Sequence, residues 1–230
     1  RYRVWHRFRN EEYPLPMILF LGGASGVGKS SVGVALANQL KISRLVSTDS
    51  IRQIMRLMIA PDLIPALHES SYAAWEKVPV PSESADPVIS AYREQAGRVC
   101  VGVRAMIERA IEEHTSLIVD GVHLLPELID LEAYADQALF FWVNLYLSDE
   151  DLYRLRFRNR SEQAEERSSH RYLEYLESIL KIQQHLLEVG DMYKVPAVEN
   201  IDFDETVQLI SLQIMDFLRD KVSHKVLVPK

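Results

Sequence analysis

The sequence predicts an α/β domain of three layers, a parallel sheet between two layers of helices. Three observations predict it. Short apolar runs, Met17–Leu21 and Leu117–Val119 among them, lack polar alternation and so read as strands buried on both faces. Segments of helical period lie between the runs, and strand–helix–strand alternation builds a parallel sheet through right-handed crossovers. The chain has 230 residues, 47% of them hydrophobic. That suits one domain of generous size with a real core and excludes wholesale disorder.

Met17–Leu21 is the first strand, and after a glycine-rich turn a helical pattern runs from Lys29 to Leu40. Leu45–Ser47 is a short second strand ending at Thr48-Asp49. A helix starting near Ser50 is expected to place Ile51, Ile54, Met55 and Met58 on one face, and Pro61 breaks it. Residues 61–90 contain Pro61, Pro65, Pro79, Pro81 and Pro87, so they are irregular or made of short helices. Such a stretch is too long for a passive connection, which points to function. A long helix follows from about Pro87 to His114, with Val99, Val103, Met106 and Ala110 inward. Ser116–Val119 is the third strand, ending at Asp120-Gly121, and Phe140–Leu147 is the fourth. Ser148 is expected to cap a helix with Asp149, Glu150 and Asp151 in its first turn. A further helix covers about Ser168–Val189, with Tyr172, Leu176, Ile179 and Leu186 inward and Gly190 as its stop. Ala197–Asn200 is the last strand, and Asp204 is expected to cap a final helix that buries Val207, Ile210, Ile214 and Phe217. Ligands of such a sheet sit at the carboxyl ends of its strands.

The net charge of −7 argues against a global attraction to nucleic acid or to an anionic membrane. An anionic ligand must then be held by local positive charge. No run reaches the roughly 18 apolar residues of a membrane-spanning helix, and the charged start lacks the apolar centre of a signal peptide. Cys100 is the single cysteine. It can form no internal disulfide, fits a reducing, cytoplasmic setting, and reads as a small buried hydrophobe. Residues 1–16 are basic and aromatic. They read equally as a linker or remnant of an upstream module and as an arm folded back on the domain; residues 224–230 read as a tail.

Gly23-Ala24-Ser25-Gly26-Val27-Gly28-Lys29-Ser30 matches G-x-x-x-x-G-K-[ST] in full, between a buried strand and a helix, the setting of a P-loop. Phosphate oxygens need many donors in a small concave space. Glycines let backbone N–H groups turn inward, and the helix N-terminus adds its positive end. The candidate nucleotide cradle runs from Gly23 through Ser31. Lys29 would reach the β- and γ-phosphates, and the Ser30 hydroxyl is placed to ligate Mg2+.

Phosphoryl transfer needs positioning and charge neutralisation more than covalent chemistry. Asp49, at the end of the second strand, is the candidate to take the acceptor's proton or orient its hydroxyl. Arg52, on the next helical turn, would hold the acceptor's anion. A plain N-cap is the other reading of Asp49. Asp120 ends a hydrophobic strand, the arrangement in which an acid holds Mg2+ through water; a capping carboxylate is the alternative. His123 is expected at the mouth of the site. Arg154, Arg156, Arg158, Arg160, Arg167 and Arg171 crowd one segment. Residues 156–171 read as a lid that brings planar guanidinium forks over the transferring phosphate. Arg156, Arg160 and Arg167 are its catalytic candidates; a solvated helix face neutralised by Glu162, Glu165 and Glu166 is the alternative. In the insertion, His68, Ser70, Ser71 and Tyr72 would read a small phosphorylated acid.

Together these residues resemble the 2-phosphoglycerate kinase family of P-loop kinases. The similar stretches are FLGGASGVGKSSVGVALA, STDSIRQIMR, LHESSYAAW, VDGVHLLP, ERSSHRYLEY and VEN, in that order, from about Met17 to Val222. TDSIR followed by LHESSY and GVHL is far more specific than the P-loop alone. The resemblance implies a fold like that of nucleoside monophosphate kinases, with a five-stranded sheet of order 2-3-1-4-5 over residues 17–223. It implies ATP- and Mg2+-dependent phosphorylation of 2-phosphoglycerate to 2,3-bisphosphoglycerate. Family members often carry an ATP-cone module upstream. The family label also covers relatives with other acceptors, so mevalonate phosphate or an inositol phosphate stands as an alternative. An ATP-sensing module with little turnover is a third reading. The expected partner is a small phosphorylated substrate, with no nucleic acid and no membrane. Tyr72, Trp75 and Trp142 pack either in the core or at a homodimer interface.

Overall fold

The strand Met17–Gly22 (β1) has all six residues buried because it lies at the centre of the sheet. It runs parallel to Leu117–Gly121 (β3) on one side and to Leu139–Tyr146 (β4) on the other. Arg44–Ser47 (β2) extends the sheet beyond β3 and Ala197–Glu199 (β5) beyond β4. The strand order is β2-β3-β1-β4-β5, as the family resemblance implies. This computed structural model describes residues 15–78, 86–163 and 167–226, without side chains at 160–163, 167–170 and 222–226. The expectations for residues 1–14, for Pro79 and Pro81, for the side chains of Arg160 and Arg167, and for residues 227–230 lie outside the described residues.

Side chains alternate across a strand, so β1 feeds two cores. Met17, Leu19 and Leu21 face one core, which also takes Val32, Leu36 and Leu40 of the helix Lys29–Leu40 (α1). Ile18 and Phe20 face the other. That second core receives Ile51 of Thr48–Met58 (α2) and Val99, Cys100, Val103, Ile107 and Ala110 of Pro87–Glu112 (α3). Each fully buried aliphatic side chain contributes roughly 1.5–3 kcal/mol of transfer free energy. Asp86 starts α3 by accepting from the Val88 N–H at 2.8 Å, with Pro87 at the first helical position. Cys100 is buried, and burial pushes its thiol up to about 12.

The structure corrects the sequence-based boundaries in five places. Helix α2 begins at Thr48, two residues early, because the Ser47 hydroxyl accepts from Asp49 N and Ser50 N at 3.1 and 3.3 Å. Its buried face is Thr48 and Ile51, whereas Ile54 and Met58 are 61% and 81% exposed. A short helix over a sheet edge buries only a narrow stripe. The next helix, Glu150–Gln163 (α4), is capped by Asp149, which accepts from Asp151 N at 2.8 Å. Ser148 instead donates its hydroxyl to Glu199. The single helix expected over 168–189 is two, Arg167–Glu174 (α5) and Leu176–Met192 (α6), parted at Tyr175. Gly190 does not stop α6. It lies inside the helix, where a Cβ would stand 2.8 Å from Asn144 Nδ2. The last helix, Phe203–Val226 (α7), is capped by Asp202, which accepts from Glu205 N at 2.9 Å, rather than by Asp204.

The proline-rich insertion forms two short 3-10 turns, Pro65–His68 and Ala74–Glu76, that pack against α3. Among the described residues no helix is long and apolar enough to cross a membrane.

Candidate active site

The loop between β1 and α1 turns on Gly23, Gly26 and Gly28, with φ of 138°, 92° and 93°. Those angles belong to glycine and let consecutive amides line a concave turn. Lys29 folds over this loop and donates from Nζ to the Ala24 carbonyl at 2.7 Å. The Ser30 hydroxyl donates to Asp120 Oδ2 at 2.7 Å. Parallel register explains the meeting, since Leu21 of β1 pairs with Asp120 of β3. Asp120 is 3% exposed. Burial raises its carboxyl above the ordinary range, and the Ser30 hydroxyl and the Lys29 charge pull it back.

Asp49 reaches the same strand ends by a second route. Ser47 pairs with Asp120 across β2 and β3. Just beyond, the chain turns into α2 so closely that a Cβ on Gly121 would lie 1.7 Å from Thr48 Oγ1. The Asp49 carboxylate is 62% exposed and adds a coulombic push to Asp120. Ser47 caps α2, so Asp49 is free of that duty. Arg52 is less open. Its Nε lies 3.3 Å from Asp49 Oδ1, and its Nη1 donates to the carbonyls of Leu67 and Glu69, each at 3.0 Å. It ties the insertion to the helix that carries Asp49.

Other candidates serve as struts. His68 Nε2 meets the Ile59 carbonyl at 2.9 Å, pinning the end of α2. Ser71 and Tyr72 are each 5% exposed. Tyr72 hydrogen-bonds with Ser70, and burial raises its phenol. His123, expected at the mouth, is fully buried beneath it. Burial lowers its pKa to about 4, so the ring is neutral. Gln95 Nε2 donates to the Ala66 and Glu69 carbonyls. Its Oε1 is therefore left to accept from His123 Nε2–H at 2.9 Å, while Nδ1 accepts from the Thr48 hydroxyl at 2.8 Å. Thr48 and Gln95 escaped the sequence reading. Gln95 had a signal, a polar residue four before Val99 on the inward stripe of α3.

The arginines divide. Arg156 donates from Nη1 to the Val27 carbonyl at 3.2 Å and from Nη2 to the carbonyls of Asn200 and Ile201. These bonds hold its guanidinium against the backbone of the P-loop and of the turn after β5. Arg154 pairs with Glu150 on its own helix at 3.5 Å. Arg171 reaches the insertion, pairing with Glu69 at 2.8 Å. Aromatic rings follow the same path. Phe157 stacks on Tyr172 at 4.7 Å between centroids, and Tyr72 packs on Tyr172 and Tyr175 at 5.6 and 5.5 Å. The Tyr175 hydroxyl donates to Glu76.

No protein-family model matches the chain. The 2-phosphoglycerate kinase of Pyrococcus furiosus is 36% identical to it over 216 residues, which cover 94% of this chain and 69% of that protein. The 2-phosphoglycerate kinase of Methanothermobacter thermautotrophicus is 37% identical over 215 residues, covering 91% and 68%. The chain belongs to the 2-phosphoglycerate kinase family. It is a P-loop kinase, and the family implies ATP as phosphate donor. A gluconokinase from Sinorhizobium meliloti 1021 aligns over 92% of the chain and 97% of its own at 18% identity, with a TM-score of 0.46. This 2-phosphoglycerate kinase family member carries its P-loop between the central strand β1 and helix α1 of a parallel sheet ordered β2-β3-β1-β4-β5.

A divalent cation would find suitable donors here. Ser30 and Asp120 present hard oxygens side by side, as Mg2+ prefers, and Mg2+ usually completes its shell with phosphate and water. Among the described residues no group of three or more His, Cys, Asp or Glu side chains forms an all-protein metal cage.

Proposed function

We propose that this kinase transfers the γ-phosphoryl group of ATP to the free hydroxyl of 2-phosphoglycerate, giving 2,3-bisphosphoglycerate and ADP. The observation that carries the reading is the junction at the ends of β1, β2 and β3. There the P-loop hydroxyl of Ser30 is bonded to buried Asp120, and the exposed Asp49 carboxylate stands free of capping beside them. The names of the relatives supply the acceptor.

In this reading the loop from Gly23 to Ser31 holds the polyphosphate, and Lys29 exchanges its Ala24 carbonyl for phosphate oxygens. Ser30 and Asp120 would hold Mg2+, which would supply charge neutralisation for the polyphosphate. The acceptor oxygen forms a bond to the γ-phosphorus as the bridging oxygen departs with ADP. Asp49 receives the hydroxyl proton. The acceptor would sit between the insertion and the lid of a kinase domain of residues 17–223, with Arg52 and Arg171 offered to its anion. Arg160 and Arg167 remain candidates for the lid. His68, Ser71 and His123 act by holding the walls. The net charge of −7 argues against a nucleic-acid partner, and the single cysteine, Cys100, fits a reducing, cytoplasmic setting.

The test is a coupled assay for ADP with a panel of acceptors. 2-Phosphoglycerate is expected to stimulate ADP release strongly, with 3-phosphoglycerate, mevalonate phosphate and inositol phosphates far behind. Stimulation by none of them, or a stronger response to another acceptor, would remove the reading.

A further inference from the structure

The Val27 carbonyl, in the middle of the P-loop, accepts two hydrogen bonds from outside the loop. Asn200 Nδ2 donates to it at 2.7 Å and Arg156 Nη1 at 3.2 Å. Asn200 is 2% exposed and follows β5, its own N–H donating to the Tyr146 carbonyl at 3.0 Å. Arg156 closes the circle by donating Nη2 to the Asn200 and Ile201 carbonyls. The Asn200 Oδ1 is buried with no partner among the described residues. Donation to Val27 therefore fixes the amide, since the flipped group would set oxygen against oxygen.

We propose that Asn200 and Arg156 are positioning residues for phosphate binding: by gripping the Val27 carbonyl they aim the Gly28 N–H into the cradle. The inference rests on the kinase reading of this loop. A peptide unit is planar and trans, so its C=O and N–H point in opposite directions. With the carbonyl held outward toward β5 and α4, the Gly28 N–H faces inward. Both lone pairs of the carbonyl are engaged. Rotating the peptide would strand a buried amide donor and part of a guanidinium, which costs more than either bond is worth. Glycine at 28 suits both demands. Its φ is 93°, and a Cβ there would stand 2.5 Å from Asn200 Nδ2. The clamp thus couples the loop's shape to the turn after β5 and to the root of the lid helix α4.

The test compares wild type, Asn200→Asp and Arg156→Lys as full chains. Calorimetry measures binding of ATP and of inorganic tripolyphosphate, and steady-state kinetics measures KM and kcat. Asn200→Asp keeps the shape but turns an acceptor toward the carbonyl; Arg156→Lys keeps the charge and loses the fork. Each is expected to weaken ATP and tripolyphosphate alike, by about tenfold, with acceptor KM within about twofold. Loss of ATP binding with tripolyphosphate unchanged would put Asn200 in the base pocket and overturn the proposal. So would a fall in kcat at constant KM for ATP in Arg156→Lys, which would put that guanidinium on the transferring phosphate. Thermal melts check folding, and if Asn200→Asp does not fold the Arg156→Lys comparison decides alone. A wild type that binds neither ligand would remove the kinase reading itself, a result distinct from variants that bind as tightly as wild type.

Discussion

Asp120 and His123 lie three residues apart at the end of β3, and burial moves them in opposite directions. It raises the Asp120 carboxyl and lowers the His123 imidazole from 6.5 to about 4. Both shifts penalise charge in the interior. For His123 the unfolded chain takes up a proton near 6.5 and the native chain only near 4. Between those values the unfolded state binds more protons, so stability rises with pH. Denaturation midpoints are expected to fall as pH drops from about 6.5 toward about 4. His123→Gln should flatten part of that slope and cost about 1–3 kcal/mol at neutral pH, because Thr48 and Gln95 lose a partner. His185, lowered by burial and by Arg93, adds slope of the same sign, so His185→Gln is the control. The raised Asp120 works the other way, its cost relieved as pH falls. At the same scale, Asp49→Asn should lower kcat by about 10²–10⁴-fold while ATP affinity stays within about twofold. Loss of ATP binding together with activity would contradict the role given to Asp49.

Contact between elements sets the distance from Asp49 to Asp120. Helix α2 presses on the end of β3 where Gly121 leaves no room for a Cβ beside Thr48. Gly121→Ala must push that helix away and take Asp49 with it. Expected losses are about 1–3 kcal/mol of stability and a fall in kcat larger than any rise in the KM for ATP. Gly190→Ala, crowding Asn144 of β4, on the other flank of β1 from β3, is a comparison that should destabilise without that selective loss. Caps were the least legible feature at this scale. Ser148 and Asp149, or Asp202 and Asp204, are locally equivalent caps. Which one serves depends on where the preceding strand delivers the chain, as Glu199 shows by capturing Ser148. Helix α2 misled for a related reason. Its apolar residues are wide enough to suggest several faces, and α3 selects the one through Ile51.

At the scale of the whole molecule, among the described residues, the Arg171–Glu69 ion pair, the Tyr175–Glu76 hydrogen bond and a cluster of tyrosines join the insertion to the lid and the turn that follows it. Arg171 and Glu69 are 47% and 21% exposed, so water screens them and the pair contributes about 0.2–1 kcal/mol. Glu69→Gln is expected to raise the acceptor KM by about two- to fivefold and leave the ATP KM unchanged, with a smaller effect at high salt. An unchanged acceptor KM at low salt would show that the lid closes without this contact. The Glu69 backbone carbonyl, held by Arg52 and Gln95, is untouched by the substitution. The side-chain effect can therefore be read alone.

The alternation of strands and helices, the phosphate loop and the acid at the end of β3 were legible in the sequence because they depend on short-range pattern, whereas the strand order came from the family resemblance. An apolar run, a glycine spacing and an acid at a strand end each carry their meaning within a few residues. The assignment of arginines and histidines was not legible. A guanidinium serves a phosphate or a carbonyl equally well, and an imidazole serves a substrate or a core threonine. Only the folded chain decides, by bringing Val27 against Asn200 and Arg156, and Thr48 and Gln95 against His123. Those partners lie tens to more than a hundred residues apart, and no local period encodes such meetings.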